Sequence, residues 1–169
     1  MTLSELNGLA PARFIGTLSG VFEHSPWIAA AACDRRPFAS LDALHATLVE
    51  IMEAAPTDAK LALLRAHPEL ASKAAIRGEL SAESNREQAA SGLTRCSAAE
   101  FARLHALNRA YDAKFGFPFI LAVKGLDRSE IIARCAERLE RDRTTEFSAA
   151  LQEVARIARF RLRALVEEQ

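Results

Sequence analysis

The chain has 169 residues, 50% of them hydrophobic and 26% charged, which suits one globular domain, residues 1–169, with a substantial core. Lys and Arg together number 22 and Asp and Glu also 22, so no positive excess exists for a nucleic acid to exploit. The longest apolar runs, Trp27 to Cys33 and Phe117 to Val123, are far too short to cross a bilayer, so no membrane partner is expected.

Met1 to Leu9 lacks the basic start and apolar stretch of a secretory leader, and Glu167-Glu168-Gln169 is not a peroxisomal address. A cytoplasmic location is the expectation. Cys33, Cys96 and Cys135 are odd in number and far apart, which suggests reduced thiols acting as small core residues rather than a disulfide framework. A catalytic thiol is the alternative. No CxxC or HxxxH spacing points to a metal.

Ala, Leu, Glu and Arg are plentiful and β-branched residues never alternate, so the sequence predicts an all-α, bundle-like fold of about eight helices. The first follows Pro11 and carries Phe14, Ile15, Leu18 and Val21. A short helix covers Trp27 to Ala32. Ser40 caps a third, with Leu44, Leu48, Ile51 and Met52, ending before Pro56. Thr57 and Asp58 start a fourth, with Leu61, Leu63 and Leu64, which ends near His67 because Pro68 steers its predecessor out of helical geometry.

A short segment spans Glu69 to Ile76 and is broken by Gly78. Ser81 caps the next helix and Gly92 terminates it. Ser97-x-x-Glu100 is a capping box opening a longer helix, with Phe101, Leu104, Tyr111 and Phe115 on one side. Asp127 or Ser129 starts the following helix, and Thr144 or Thr145 the last.

Four groups carry chemistry. In the last helix, at roughly 100° per residue, Phe147, Leu151, Val154, Ala158 and Leu165 form an apolar stripe. Arg161 falls on that stripe, whereas Arg156, Arg159 and Arg163 face away. A guanidinium facing a core needs an anion. It is either paired internally with a glutamate or used as a bidentate clamp for a ligand carboxylate. His67, held at a helix end by Pro68, is either structural or a proton-transfer group. His24, His45 and His105 read as surface or packing residues. Ser84, Glu87 and Gln88, spaced i, i+3 and i+4, share a helix face, which is either simply solvated or able to orient a small polar ligand. In Phe115-Gly116-Phe117-Pro118-Phe119-Ile120, Gly and Pro end a helix within an apolar stretch. Its released backbone groups need partners, so it is either a buried connection or a pocket lining.

These residues, in this order, resemble the ureidoimidazoline decarboxylases (2-oxo-4-hydroxy-4-carboxy-5-ureidoimidazoline, or OHCU, decarboxylases). The matching stretches are His67-Pro68-Glu69-Leu70, Ser84-x-x-Glu87-Gln88 with Gly92-Leu93, and Leu107-Asn108 with Tyr111. Lys114 to Ile120, Arg36-Pro37-Phe38 after Trp27, and the ending through Arg161-Leu162 also match, so the likeness covers nearly the whole chain. The family often has Asp where Glu69 stands and a glycine soon after, where this chain reads Ala71-Ser72, and Thr94-Arg95-Cys96 is not typical.

The resemblance implies an all-helical enzyme with no metal or organic cofactor, assembled as a homodimer, although no heptad seam marks one. It implies a small-molecule ureidoimidazoline substrate and (S)-allantoin as product. His67 would handle the hydroxyl proton or protonate the new stereocentre. Glu87 would orient and tune His67 or bind the ureido group. Arg161 would hold an anionic part of the substrate, Pro68 would contact it beside His67, and Ser84 and Gln88 would fix its ring and ureido group. Phe119 and Ile120 would supply an apolar wall and backbone contacts. Two rivals are a related enzyme acting on another ureido or imidazoline compound, and a non-catalytic helical binding domain.

Overall fold

The computed structural model describes residues 1–72 and 80–167. Among them are nine α-helices: α1 (Leu3–Asn7), α2 (Pro11–Leu18), α3 (Pro26–Cys33), α4 (Leu41–Ala54), α5 (Thr57–Ala66), α6 (Ala82–Ala90), α7 (Ala98–Phe115), α8 (Arg128–Leu139) and α9 (Arg143–Leu165). A short 3-10 turn, Leu93–Arg95, follows α6. Among the described residues there is no strand, only an isolated bridge between Thr2 and Glu167. None of their helices is long and apolar enough to cross a membrane.

The caps lie where the side-chain chemistry puts them. Ser40 accepts from the Ala43 N–H and Ser81 from the Ser84 N–H, each satisfying a donor that the helix itself leaves open. Ser97 with Glu100 and Asp127 with Glu130 form reciprocal capping boxes. Gly116 closes α7 at φ 78, a backbone conformation that costs glycine nothing, and its N–H returns to the Asp112 carbonyl at 2.7 Å.

Three expectations need correction. Thr2 and Glu5 form a capping box of their own, adding the five-residue α1 ahead of the expected first helix. The last helix begins at Arg143, because Asp142 takes the Thr145 N–H at 2.9 Å and caps it earlier. Leu165 is exposed rather than on the buried stripe, whose inner positions near the C-terminus go to Leu162 and Val166. The segment expected over Glu69 to Ile76, with Gly78 after it, lies outside the described residues from Lys73 on.

Contacts divide the chain into two compact units: Met1–Ala66 with the chain from Ala155 onward, and His67–Val154. In the first unit Leu6, Phe14, Leu18, Ile28, Leu44 and Met52 are buried. Each such side chain contributes roughly 1.5–3 kcal/mol by leaving water. Arg36 ties two connections together here. Its Nη1 donates to the Asn7 and Leu9 carbonyls at 3.2 and 2.6 Å, its Nε to Cys33 O at 2.9 Å, and its plane lies over Phe14. Asn7 completes the join by pairing both ways with the Phe38 backbone. The Arg36-Pro37-Phe38 stretch therefore has a structural use.

In the second unit the core is aromatic. Tyr111 lies 4.6, 5.9 and 5.3 Å, centroid to centroid, from Phe115, Phe117 and Phe119. The edge and tilted arrangements among these rings suit their quadrupoles. Cys33 and Cys135 are buried, Cys96 is half-buried, and all three are free thiols. Burial pushes the Cys135 thiol up to about 12, so it stays neutral and serves as packing.

Candidate active site

His67 directly follows α5, where Pro68 stops the helix, and its side chain is buried. The turn after it is pinned at successive backbone groups. Gln88 Oε1 accepts the Ala71 N–H at 2.8 Å, and Asn108 Nδ2 donates to the Leu70 carbonyl at 2.9 Å. Ala71 adopts φ 52, a left-handed conformation that an alanine resists. Two buried amide side chains thus hold a turn that the residue itself would not choose.

The helix α6 presents its polar face as the spacing implied. Ser84 and Gln88 are buried on that face, Glu87 is half-buried beside them, and Arg86, Ala89 and Ala90 are exposed. The oxygen of Gln88 is used by the His67 turn, a positioning role that spacing alone does not show. The structure therefore brings Gln88 and the His67 turn into one arrangement within the second unit.

Phe119 and Ile120 lie in the segment from Phe117 to Val123, which is not helical and is buried apart from Pro118 and the half-buried Ala122. Its backbone is held by charged side chains. Arg138 Nη1 donates to the Ile120 carbonyl at 2.7 Å, and Glu153 Oε2 accepts the Ala122 N–H at 2.9 Å. Arg138 lies over the Phe119 ring at 4.8 Å and donates through Nε to Glu146 Oε1 at 2.8 Å. The same carboxylate oxygen accepts the Tyr111 hydroxyl, and Arg141 approaches the other oxygen at 3.7 Å.

Sequence reasoning did not single out Arg138, Glu146 or Glu153. The signal was available for Arg138, which follows Ile131 and Cys135 at helical spacing on the buried face of α8. That is the argument that picked out Arg161. Glu146 and Glu153 occupy the same buried stripe of α9 as Ala150, Val154 and Ile157.

Arg161 belongs to the first unit and is buried, as its place on the stripe required. Its Nη1 donates to Glu23 Oε2 at 2.8 Å and to the Gly20 carbonyl at 3.0 Å. An internal glutamate partner is therefore present, and it offsets the desolvation of the guanidinium. His45 bonds to the Ala155 carbonyl at 2.8 Å and His24 is exposed, in keeping with packing and surface roles.

A family model described as OHCU decarboxylase matches residues 7–163. The uric acid degradation bifunctional protein of Bacillus subtilis is 41% identical over 168 residues, 99% of this chain, which spans 33% of that longer protein. The 2-oxo-4-hydroxy-4-carboxy-5-ureidoimidazoline decarboxylase of Amia calva is 36% identical over 99% of this chain and 95% of its own length. Among solved structures, a crystal structure of (S)-allantoin synthase superposes with a TM-score of 0.80 at 29% identity, over 98% of this chain and 54% of that one.

The Tyr111 site generates a spectroscopic prediction. Burial, and then the hydrogen bond to Glu146, push the Tyr111 hydroxyl well above the ordinary phenol value of about 10. A folded-state pKa raised in this way contributes stability that is present below the unfolded value and lost as pH rises beyond it. Tyr111 is the chain's single tyrosine, so a rise in absorbance near 295 nm with pH reports its ionisation alone. The native protein should show no tyrosinate at about pH 11, with the signal appearing only as circular dichroism reports unfolding. Ionisation near pH 10 in folded protein would contradict the Tyr111–Glu146 bond.

Proposed function

Because the chain belongs to the OHCU decarboxylase family, we propose that it converts 2-oxo-4-hydroxy-4-carboxy-5-ureidoimidazoline to (S)-allantoin and carbon dioxide in urate breakdown. As a carboxy-lyase it acts on a small molecule, not on nucleic acid or a membrane. The observation that carries this reading is the buried His67 followed by a turn whose Leu70 carbonyl and Ala71 N–H are held by Asn108 and Gln88, Gln88 coming from the helix face that also bears Ser84 and Glu87. A non-catalytic binding domain would need no buried histidine before a turn braced in this way.

The substrate's own structure supplies the electron sink. Its carboxylate and hydroxyl share one ring carbon, next to an imine carbon bearing the ureido group. When the carboxylate bond breaks, its electron pair passes into the neighbouring C=N unit. The hydroxyl carbon ends as a carbonyl and the adjacent carbon takes a proton, so one proton is consumed overall for each carboxylate lost. That balance needs no cofactor. What remains for the protein is to hold the carboxylate orthogonal to the ring, accept the hydroxyl proton and deliver a proton to one face.

His67 is the group for proton transfer, and Glu87 orients it or binds the ureido donors. Ser84, Gln88 and Pro68 fix the ring and ureido group, and Phe119 and Ile120 form an apolar wall. The family resemblance gives Arg161 the anionic part of the substrate. Its pairing with Glu23 holds the guanidinium in one orientation, as a fork used for recognition must be. A single functional domain, a cytoplasmic location and a homodimer complete the reading, supported by the free thiols and the resemblance.

Two substitutions test the roles. His67→Asn should lower kcat by roughly 10²–10⁴-fold, followed as loss of substrate absorbance above its spontaneous decay; an undiminished rate would remove His67 from proton transfer. Arg161→Lys should weaken binding of a stable carboxylate-bearing analogue about tenfold, because an ammonium cannot reproduce the fork. An unchanged Kd by titration calorimetry would leave Arg161 as a structural partner of Glu23 alone.

A further inference from the structure

We propose that Arg138, held in place by Glu146 and Tyr111 and assisted by Glu153, is a positioning residue that sets substrate affinity and product stereochemistry through the backbone of Ile120 to Ala122. The inference rests on the decarboxylase reading above and extends it to side chains that stand behind the apolar wall.

The geometry is specific. Arg138 reaches the Ile120 carbonyl at 2.7 Å through Nη1 while Nε holds Glu146 at 2.8 Å, so one planar group serves both contacts. Glu153, from the next helix, takes the Ala122 N–H at 2.9 Å. Two consecutive peptide groups are thus each gripped by an ionised side chain. Both peptides are trans, because the cis bond among the described residues is Arg36–Pro37. In a trans peptide the C=O and N–H point in opposite directions. Gripping the Ile120 carbonyl therefore directs the Leu121 N–H away from Arg138, and gripping the Ala122 N–H directs the Leu121 carbonyl away from Glu153. One donor and one acceptor on a single residue acquire directions fixed by two buried charges.

A core connection does not require this. Apolar packing of Phe117, Phe119 and Leu121 would bury the segment without any charge, at lower desolvation cost. Arg138, Glu146 and Tyr111 are nearly or wholly buried, and the hydroxyl adds a third contact to a carboxylate that already has a guanidinium. Such an arrangement fixes direction, and direction is what the choice of one protonated face demands. The guanidinium over the Phe119 ring also sets the plane of the wall itself.

The test compares wild type, Arg138→Lys and Tyr111→Phe in kcat, KM and the enantiomeric excess of product, with amide hydrogen exchange of residues 117–123 as a readout independent of activity. A lysine keeps the charge but lacks the planar fork whose separate nitrogens hold Glu146 and the Ile120 carbonyl in fixed directions. Folded Arg138→Lys should raise KM roughly tenfold, lower the enantiomeric excess and speed exchange in the segment, with a smaller change in kcat. Wild-type KM, enantiomeric excess and exchange in that folded variant would overturn the proposal. Should Arg138→Lys not fold, Tyr111→Phe, which removes one hydroxyl and no charge, decides. A fall in enantiomeric excess with faster exchange supports the role, and wild-type values overturn it. A wild-type chain that leaves substrate decay unaccelerated would refute the decarboxylase reading itself. The proposal, which rests on that reading, would fall with it, whereas wild-type values in the variants of an active wild-type chain would overturn the proposal alone.

Discussion

The ion pair between Arg138 and Glu146 is the constraint on which the second unit is built. α7 delivers Tyr111 to it, α8 carries the arginine and α9 the glutamate, and the connection after α7 hangs on the same guanidinium through the Ile120 carbonyl. Burying two charges is costly, and the cost is offset only when the remaining donors and lone pairs are also used. Here one carboxylate oxygen accepts both the phenol and the guanidinium, and the guanidinium lies on an aromatic face, while among the described residues Glu146 Oε2 and Arg138 Nη2 have only ion-pair contacts, to Arg141 and to Glu146 Oε1. Removal of one partner from such a pair leaves the other uncompensated, at about 3–5 kcal/mol. The arrangement is therefore all or nothing, which suits a device that must hold one geometry.

A similar logic recurs on a smaller scale around His67. The turn carrying the imidazole includes an alanine in left-handed backbone geometry, and two buried amides grip the neighbouring carbonyl and N–H. In the first unit Arg161 and Glu23 repeat the theme of a buried guanidinium with an internal carboxylate. In each case a polar group is buried because its direction matters, and a second polar group makes that burial tolerable. On the proposed decarboxylase reading the chemistry asked of the protein is modest, since that substrate carries its own electron sink. Orientation is the larger part of what the fold supplies.

Much of this was legible in the sequence because caps and helical periodicity are local. Ser40, Ser81, Ser97 and Asp127 each start the helix that their side-chain oxygens can cap, and Gly116 ends α7 as its freedom of φ allows. Arg161 and the face of Ser84, Glu87 and Gln88 could be found by counting positions around a helix. The bond from Gln88 to Ala71 could not, since it joins positions 17 apart through a side chain reaching a turn. Glu146 and Glu153 were hidden for a different reason. Glu146, in the first turn, reads as a residue favouring the helix start, and a mid-helix glutamate such as Glu153 reads as solvated; their burial depends on partners supplied by α7, α8 and the segment after α7. Arg138 was within reach of the periodicity argument, but its partners lie on other helices.

Circular dichroism tests together whether this chain accelerates the decarboxylation and whether it chooses the protonated face. The unstable substrate is generated in the cuvette by oxidising urate and hydrolysing the first product, and allantoin is followed with and without the protein. A single enantiomer, the S form, should appear faster in proportion to the protein added. The same slow, racemic product in the presence of folded protein would contradict the decarboxylase reading.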